Sequence, residues 1–128
     1  MDHTLERNKQ TVLDFYEIGL NQKDFDQAAT LIGSRYVQHN PRIADGIDGF
    51  EAFLATLRQD FPDLRAEVKR IFADGEYVVA HVYVVRVPGQ SGTAIVDIFR
   101  LDADGKIVEH WDVMQPVPDT AANQNGMF

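Results

Sequence analysis

Two strand-like stretches near the end of the chain carry ionisable groups where apolar residues are expected. In "TAIVDIFRL" the alternating set Ile95, Asp97, Phe99 and Leu101 shares one face, so Asp97 has apolar neighbours on both sides. A carboxylate in such surroundings is costly unless it is paired, hydrogen-bonded or held neutral, and these conditions make it a candidate acid or base. In "EHWDVMQ" His110, Asp112 and Met114 fall on one face, with Glu109, Trp111, Val113 and Gln115 on the other. Strand parity leaves open which face is inside. A histidine and an aspartate that met Asp97 in a pocket would form an acid/base cluster, with Trp111 large enough to pack or seal the far side. The competing arrangement puts Trp111 in the core and leaves His110 and Asp112 solvated.

Two further histidines have weaker contexts. His39 in "SRYVQHNPR" precedes Asn40 and Pro41, a loop-like site where a surface hydrogen-bonding role is the ordinary one. His81 alternates with Val79, Tyr83 and Val85, opposite the all-aliphatic set Val78, Ala80, Val82 and Val84. The aliphatic face reads as the buried one, which puts His81 on the other side, at a candidate subunit interface. Histidine and aspartate together suit zinc or non-haem iron, but no HExxH, paired HxH or EF-hand loop is present, and no metal is expected. Serine-elbow, dinucleotide and P-loop glycine patterns are also absent.

The elements that must position these groups follow from periodicity. Leu5, Val12, Phe15, Tyr16 and Gly19 fit one side of an amphipathic helix, and Phe25 to Ile32 a short second helix with Asp24 as N-cap and Gly33 as terminator. Phe50, Phe53, Leu54, Leu57 and Phe61 mark a third helix, with Asp48 and Glu51 resembling a capping box and Pro62 ending it. From Leu64 the pattern changes to four strands, about 64–73, 76–87, 93–101 and 106–115, separated by "ADGE", "PGQSG" and "DADGK". Such short links predict an antiparallel meander, and the fold class is α+β with helices packed on one face of a curled sheet. The tail 116–128 is polar until Met127 and Phe128, which suggest docking.

Composition bounds the function. A chain of 128 residues fits one domain, 1–128. With 12 basic against 20 acidic residues and a net charge of −8, neither nucleic acid nor an anionic membrane is an expected partner. No cysteine is present, which excludes thiol catalysis and disulfides. "MDHTLERNKQ" has no basic and apolar leader pattern, and a cytoplasmic protein is expected.

The combination "YVQHNP", "GIDGFEAF", "VDIFRLDADGKIVEHWDVMQPVP" and "NGMF" resembles the SnoaL-like polyketide cyclase family of the nuclear-transport-factor-two-like superfamily, and within it a branch of predicted aldol-condensation catalysts. The resemblance implies a cone: a curled antiparallel sheet around a deep pocket, closed by about three helices, in a homodimer paired through the sheet. It implies that Asp97 is the acid/base and that His110 and His39 orient or polarise the substrate. Asp112 matches a pocket carboxylate of the related limonene epoxide hydrolases, but their arginine two residues before the aspartate is Ile95 here, against that chemistry. Asp112, Trp111, Phe99, Tyr36 and Met114 make up the expected substrate-contacting set. The expected function is cofactor-independent acid/base catalysis on a small carbonyl compound, by aldol condensation, cyclisation or isomerisation. The alternative is a non-catalytic small-molecule binding protein with the same pocket.

Overall fold

The first helix shows how sequence pattern becomes packing. The computed structural model describes residues 3–128. Helix α1, His3–Asp14, runs directly into a π-helical segment, Phe15–Asn21. In an α-helix adjacent residues point about 100° apart, whereas π-helical widening adds a residue to the turn. Here Phe15 and Tyr16 are both buried against the sheet, and Gly19 is buried beside Phe50 and Ala28. Phe15 stacks on Phe50 at 5.3 Å and meets Phe99 edge-on at 5.6 Å, and Tyr16 meets Phe99 at 5.8 Å. Each such aromatic contributes about 1.5–3 kcal/mol through burial, enough to anchor the segment.

Helix α2, Phe25–Ala29, starts as its cap predicts, with Asp24 accepting from the Gln27 N–H. It then ends earlier than expected, because Ile32–Gln38 forms strand β1. Gly33 does not terminate a helix: a Cβ there would lie 2.8 Å from Val108 Cγ1, so glycine allows close approach to the neighbouring strand. Helix α3, Gly46–Asp60, begins two residues before Asp48. The expected capping box is absent, because Asp45 occupies the N-cap and its carboxylate accepts from the Gln38 N–H at 2.8 Å. That bond ties the end of β1 to the start of α3.

The four later strands are β2, Arg65–Asp74, β3, Tyr77–Val85, β4, Thr93–Leu101, and β5, Ile107–Pro116. They form the antiparallel meander the turn signals predict, and β1 adds to the β5 edge in parallel, giving the order β1-β5-β4-β3-β2. The sheet is thus antiparallel except at this edge. It curls without closing, and the architecture is α+β. The core lies between its concave face and the helices: Val78, Ala80, Val82 and Val84 point in, and His81 lies on the convex side, as parity predicts. There Phe128 folds back on the His81 and Tyr83 rings at 5.3 and 4.8 Å, so the end of the tail does dock.

Candidate active site

The concave face and the helices enclose a cavity of about 520 Å³, a size that suits a small organic molecule. Register determines what faces it. Asp97 stands opposite Asp112, Phe99 opposite His110, and Ile95 opposite Met114, and all six line the cavity. At its floor Asp97 and His110 are each 7% exposed, and Phe99 is 1% exposed.

The hydrogen bonds at the floor determine protonation. His110 Nε2 lies 2.8 Å from Asp97 Oδ1, and the Tyr16 hydroxyl donates to Asp97 Oδ2 at 2.5 Å. On its other side His110 Nδ1 lies 2.7 Å from Gln38 Oε1. That same oxygen accepts the backbone N–H of Asn40 at 2.9 Å, and an N–H can meet only an acceptor, so the amide orientation is set. Nδ1 must therefore carry hydrogen. One further proton then belongs jointly to Nε2 and Asp97, as imidazolium with carboxylate or as neutral imidazole with carboxylic acid.

Asn40 is oriented in the same way, since its Oδ1 accepts the Arg42 N–H at 2.8 Å. Its Nδ2 therefore faces Asp112, donating to both carboxylate oxygens at 3.0 and 2.9 Å. Asp112 Oδ2 is also 3.8 Å from His110 Nε2. Burial, then the charge of Asp97 and the hydrogen bond to it, hold the Tyr16 hydroxyl well above the ordinary tyrosine pKa. Tyr16 is thus a proton donor throughout the physiological range. The Tyr36 hydroxyl is raised too, chiefly by burial, and accepts from Gln38 Nε2 at 3.2 Å.

Asp97, His110, Asp112, Phe99, Tyr36 and Met114 therefore meet around one cavity, while His39 and Trp111 do not line it. His39 is a correction: its ring stacks on Trp111 at 4.8 Å and its Nε2 pairs with Glu109 Oε2 at 2.7 Å on the convex side. The reason is parity. Trp111 and Glu109 alternate with His110 and Asp112, and the His39 backbone N–H donates to His110 O, which sends its side chain to the face opposite His110.

Tyr16, Gln38 and Asn40 were not among the expected site residues. Tyr16 reads as part of an apolar stripe. Gln38 and Asn40 share parity with Tyr36, the one signal that could have placed them inside.

The donor atoms of Asp97, His110 and Asp112 lie within 4.8 Å of one another, close enough to converge on a divalent cation. Tyr16 donates to Asp97, Asn40 donates to Asp112, and His110 pairs with Asp97, so each of these groups already has a hydrogen-bond partner.

Similar architectures occur among solved structures. TsrD from Streptomyces laurentii aligns at 21% identity over 84% of this chain and 87% of its own, with a TM-score of 0.70. A candidate SnoaL-like polyketide cyclase from a Jannaschia species aligns at 22% identity over 89% of each chain, TM-score 0.73. A candidate ketosteroid isomerase from Kribbella flavida aligns at 18% identity over 94% of this chain and 87% of its own, TM-score 0.73. At these identities the likeness concerns the fold. No curated protein sequence matches the chain. The model of the SnoaL-like domain matches residues 12–110, from the first helix to the histidine of the buried pair, and the chain belongs to the SnoaL-like family.

Proposed function

We propose that this chain is a cofactor-independent acid/base enzyme that moves a proton next to the carbonyl of a small molecule, in an aldol-type condensation, cyclisation or isomerisation. The observation that carries this reading is the 2.8 Å contact between Asp97 Oδ1 and His110 Nε2 at the floor of an otherwise largely apolar cavity. In the carboxylate–imidazolium form, Asp97 accepts the proton alpha to the carbonyl. The carbon–hydrogen bond breaks, a carboxyl O–H forms, and the electron pair moves to the carbonyl oxygen. That enolate oxygen receives a hydrogen bond from His110 Nε2–H or from the Tyr16 hydroxyl, donors fixed before reaction in a site with little water. Asp97 then returns its proton to the isomerised carbon, or to the alkoxide formed when the enolate carbon adds to a second carbonyl. No electrons enter or leave.

General acid/base catalysis supplies about 10²- to 10⁴-fold, sufficient for an already acidic 1,3-dicarbonyl. The test is deuterium exchange into a panel of 1,3-dicarbonyls by wild type and Asp97→Asn. Exchange by wild type that is lost in a folded variant supports the reading; equal rates in the two remove Asp97 from the chemistry.

One observation favours a second reading, that of a binding protein without turnover. Both oxygens of Asp97 and both of Asp112 already have partners, so the network is complete without a substrate. Tight retention of a carbonyl ligand with no exchange on any panel member would support it.

The same proposal places the enzyme in the cytoplasm as a homodimer paired through the convex face of the sheet. Phe72, Val96 and Val113 are 60, 37 and 70% exposed there, an apolar surface that gains from being covered. Sedimentation of wild type against Val113→Glu tests the pairing: a monomeric wild type would exclude it.

A further inference from the structure

The mouth of the cavity holds groups that the proton transfer does not use. Arg42 and Arg86 line both the main cavity and an adjoining hollow of about 390 Å³, and share that edge with Val84, Thr93 and Met114. Neither guanidinium has a carboxylate partner among the described residues, although the chain has 20 acidic residues against 12 basic. Arg86 instead lies over the Phe61 ring at 5.3 Å, a cavity-lining aromatic. Among the described residues, the only acidic ones lining either hollow are Asp97 and Asp112, and both are engaged at the floor. Charge is thus separated along the cavity, with carboxylates at the floor, apolar walls between, and at the rim two arginines that have no carboxylate partner among the described residues.

A lone exposed arginine is an ordinary solvated group. Two on one rim of an apolar cavity, unpaired in an acidic chain, form a site for a group that takes forked N–H donors, namely a carboxylate or a phosphate. We propose that the cavity binds a carbonyl compound bearing an anionic group at the end remote from its reacting carbon, held by Arg42 and Arg86. Thr93 at the rim and Asp97 at the floor share one face of β4 four residues apart, about 13 Å, which sets the scale of the separation of the two ends. The identity of the reacting end rests on the acid/base reading above; the anionic end rests on the arginines alone.

The test uses a straight-chain 1,3-diketone with a terminal carboxylate, its methyl ester, and the matching terminal phosphate. Affinity is read by titration calorimetry and proton transfer by deuterium exchange at the central methylene. Wild type should bind the carboxylate or the phosphate about tenfold or more tighter than the ester. The preference should shrink as salt is raised and disappear in Arg42→Gln/Arg86→Gln. The tighter of the two anions identifies the terminal group. Equal affinity for acid and ester, a preference that survives in the double variant, or no binding of any of the three overturns the proposal. Exchange without an anion preference overturns it while leaving the acid/base reading standing, and an anion preference without exchange does the reverse.

Discussion

Glu109 and His110 are neighbours in sequence, yet each belongs to a different histidine–carboxylate pair on opposite faces of the same strand. His39 meets Glu109 at 2.7 Å on the convex side, and His110 meets Asp97 at 2.8 Å on the concave side. The distances are alike; the surroundings are not. Side-chain exposures are 41 and 18% for the outer pair and 9% for both members of the inner one. Water screens the outer pair, and an exposed pair of this kind contributes about 0–1 kcal/mol. The inner pair is held in low dielectric, where removing one partner strands the other and costs about 3–5 kcal/mol. Proximity of a histidine to a carboxylate is therefore a poor guide to chemistry, and what separates the two pairs is access to a cavity and exclusion of water.

The contrast can be broken most sharply through activity. Asp97→Asn should lower proton exchange by about 10²- to 10⁴-fold, whereas His39→Ala should change it by less than about twofold. A large loss in the His39 variant would return that residue to the chemistry. Stability offers the next largest difference. His110→Ala should cost about 3–5 kcal/mol in urea unfolding against under about 1 kcal/mol for His39→Ala, and equal costs would mean that burial does not distinguish the pairs.

A smaller effect tests the tautomer. Gln38→Leu removes the acceptor for Nδ1–H of His110 and should slow exchange by about tenfold, with imidazole nitrogen shifts showing Nδ1 no longer uniformly protonated. Unaltered nitrogen shifts would show that Gln38 does not set the tautomer.

The smallest effect lies in the outer pair itself. The hydrogen bond from His39, and then that from Arg100, lower the Glu109 carboxyl below its ordinary value of 4.5. A lowered folded-state pKa contributes stability that is fully present above the unfolded value and disappears as pH falls through the folded one. Glu109→Gln should therefore cost under about 1 kcal/mol at neutral pH, with variant and wild type converging in acid. A difference that persists in acid would assign the cost to packing.

Much of the frame was legible because hydrophobic period and turn residues act locally. The meander from β2 to β5 follows from two-residue periodicity and from turns such as that at Gly75, which has φ +58° between paired Asp74 and Tyr77. Strand β1 was not legible in that way. "LIGSRYVQ" begins with residues that suit a helix as well as a strand, and only pairing with β5 on the far side of the sequence selects the strand. Tyr16 was hidden for a related reason: the turn of π-helix that presents it to Asp97 has no sequence signature, and a tyrosine in an apolar stripe reads as core.

By itself the sequence determined the faces: alternation groups Asp97 with Phe99 and His110 with Asp112, because a strand sends successive side chains to opposite sides whatever surrounds it. Tertiary structure decided which face encloses the cavity, and therefore which of two histidine–carboxylate pairs is buried. It also brought Gln38 from β1 and Tyr16 from the first helix to opposite ends of one proton-sharing chain, 72 and 81 residues from their partners. Contacts at that separation depend on how the sheet curls and on what packs against it, quantities that no local pattern of residues encodes.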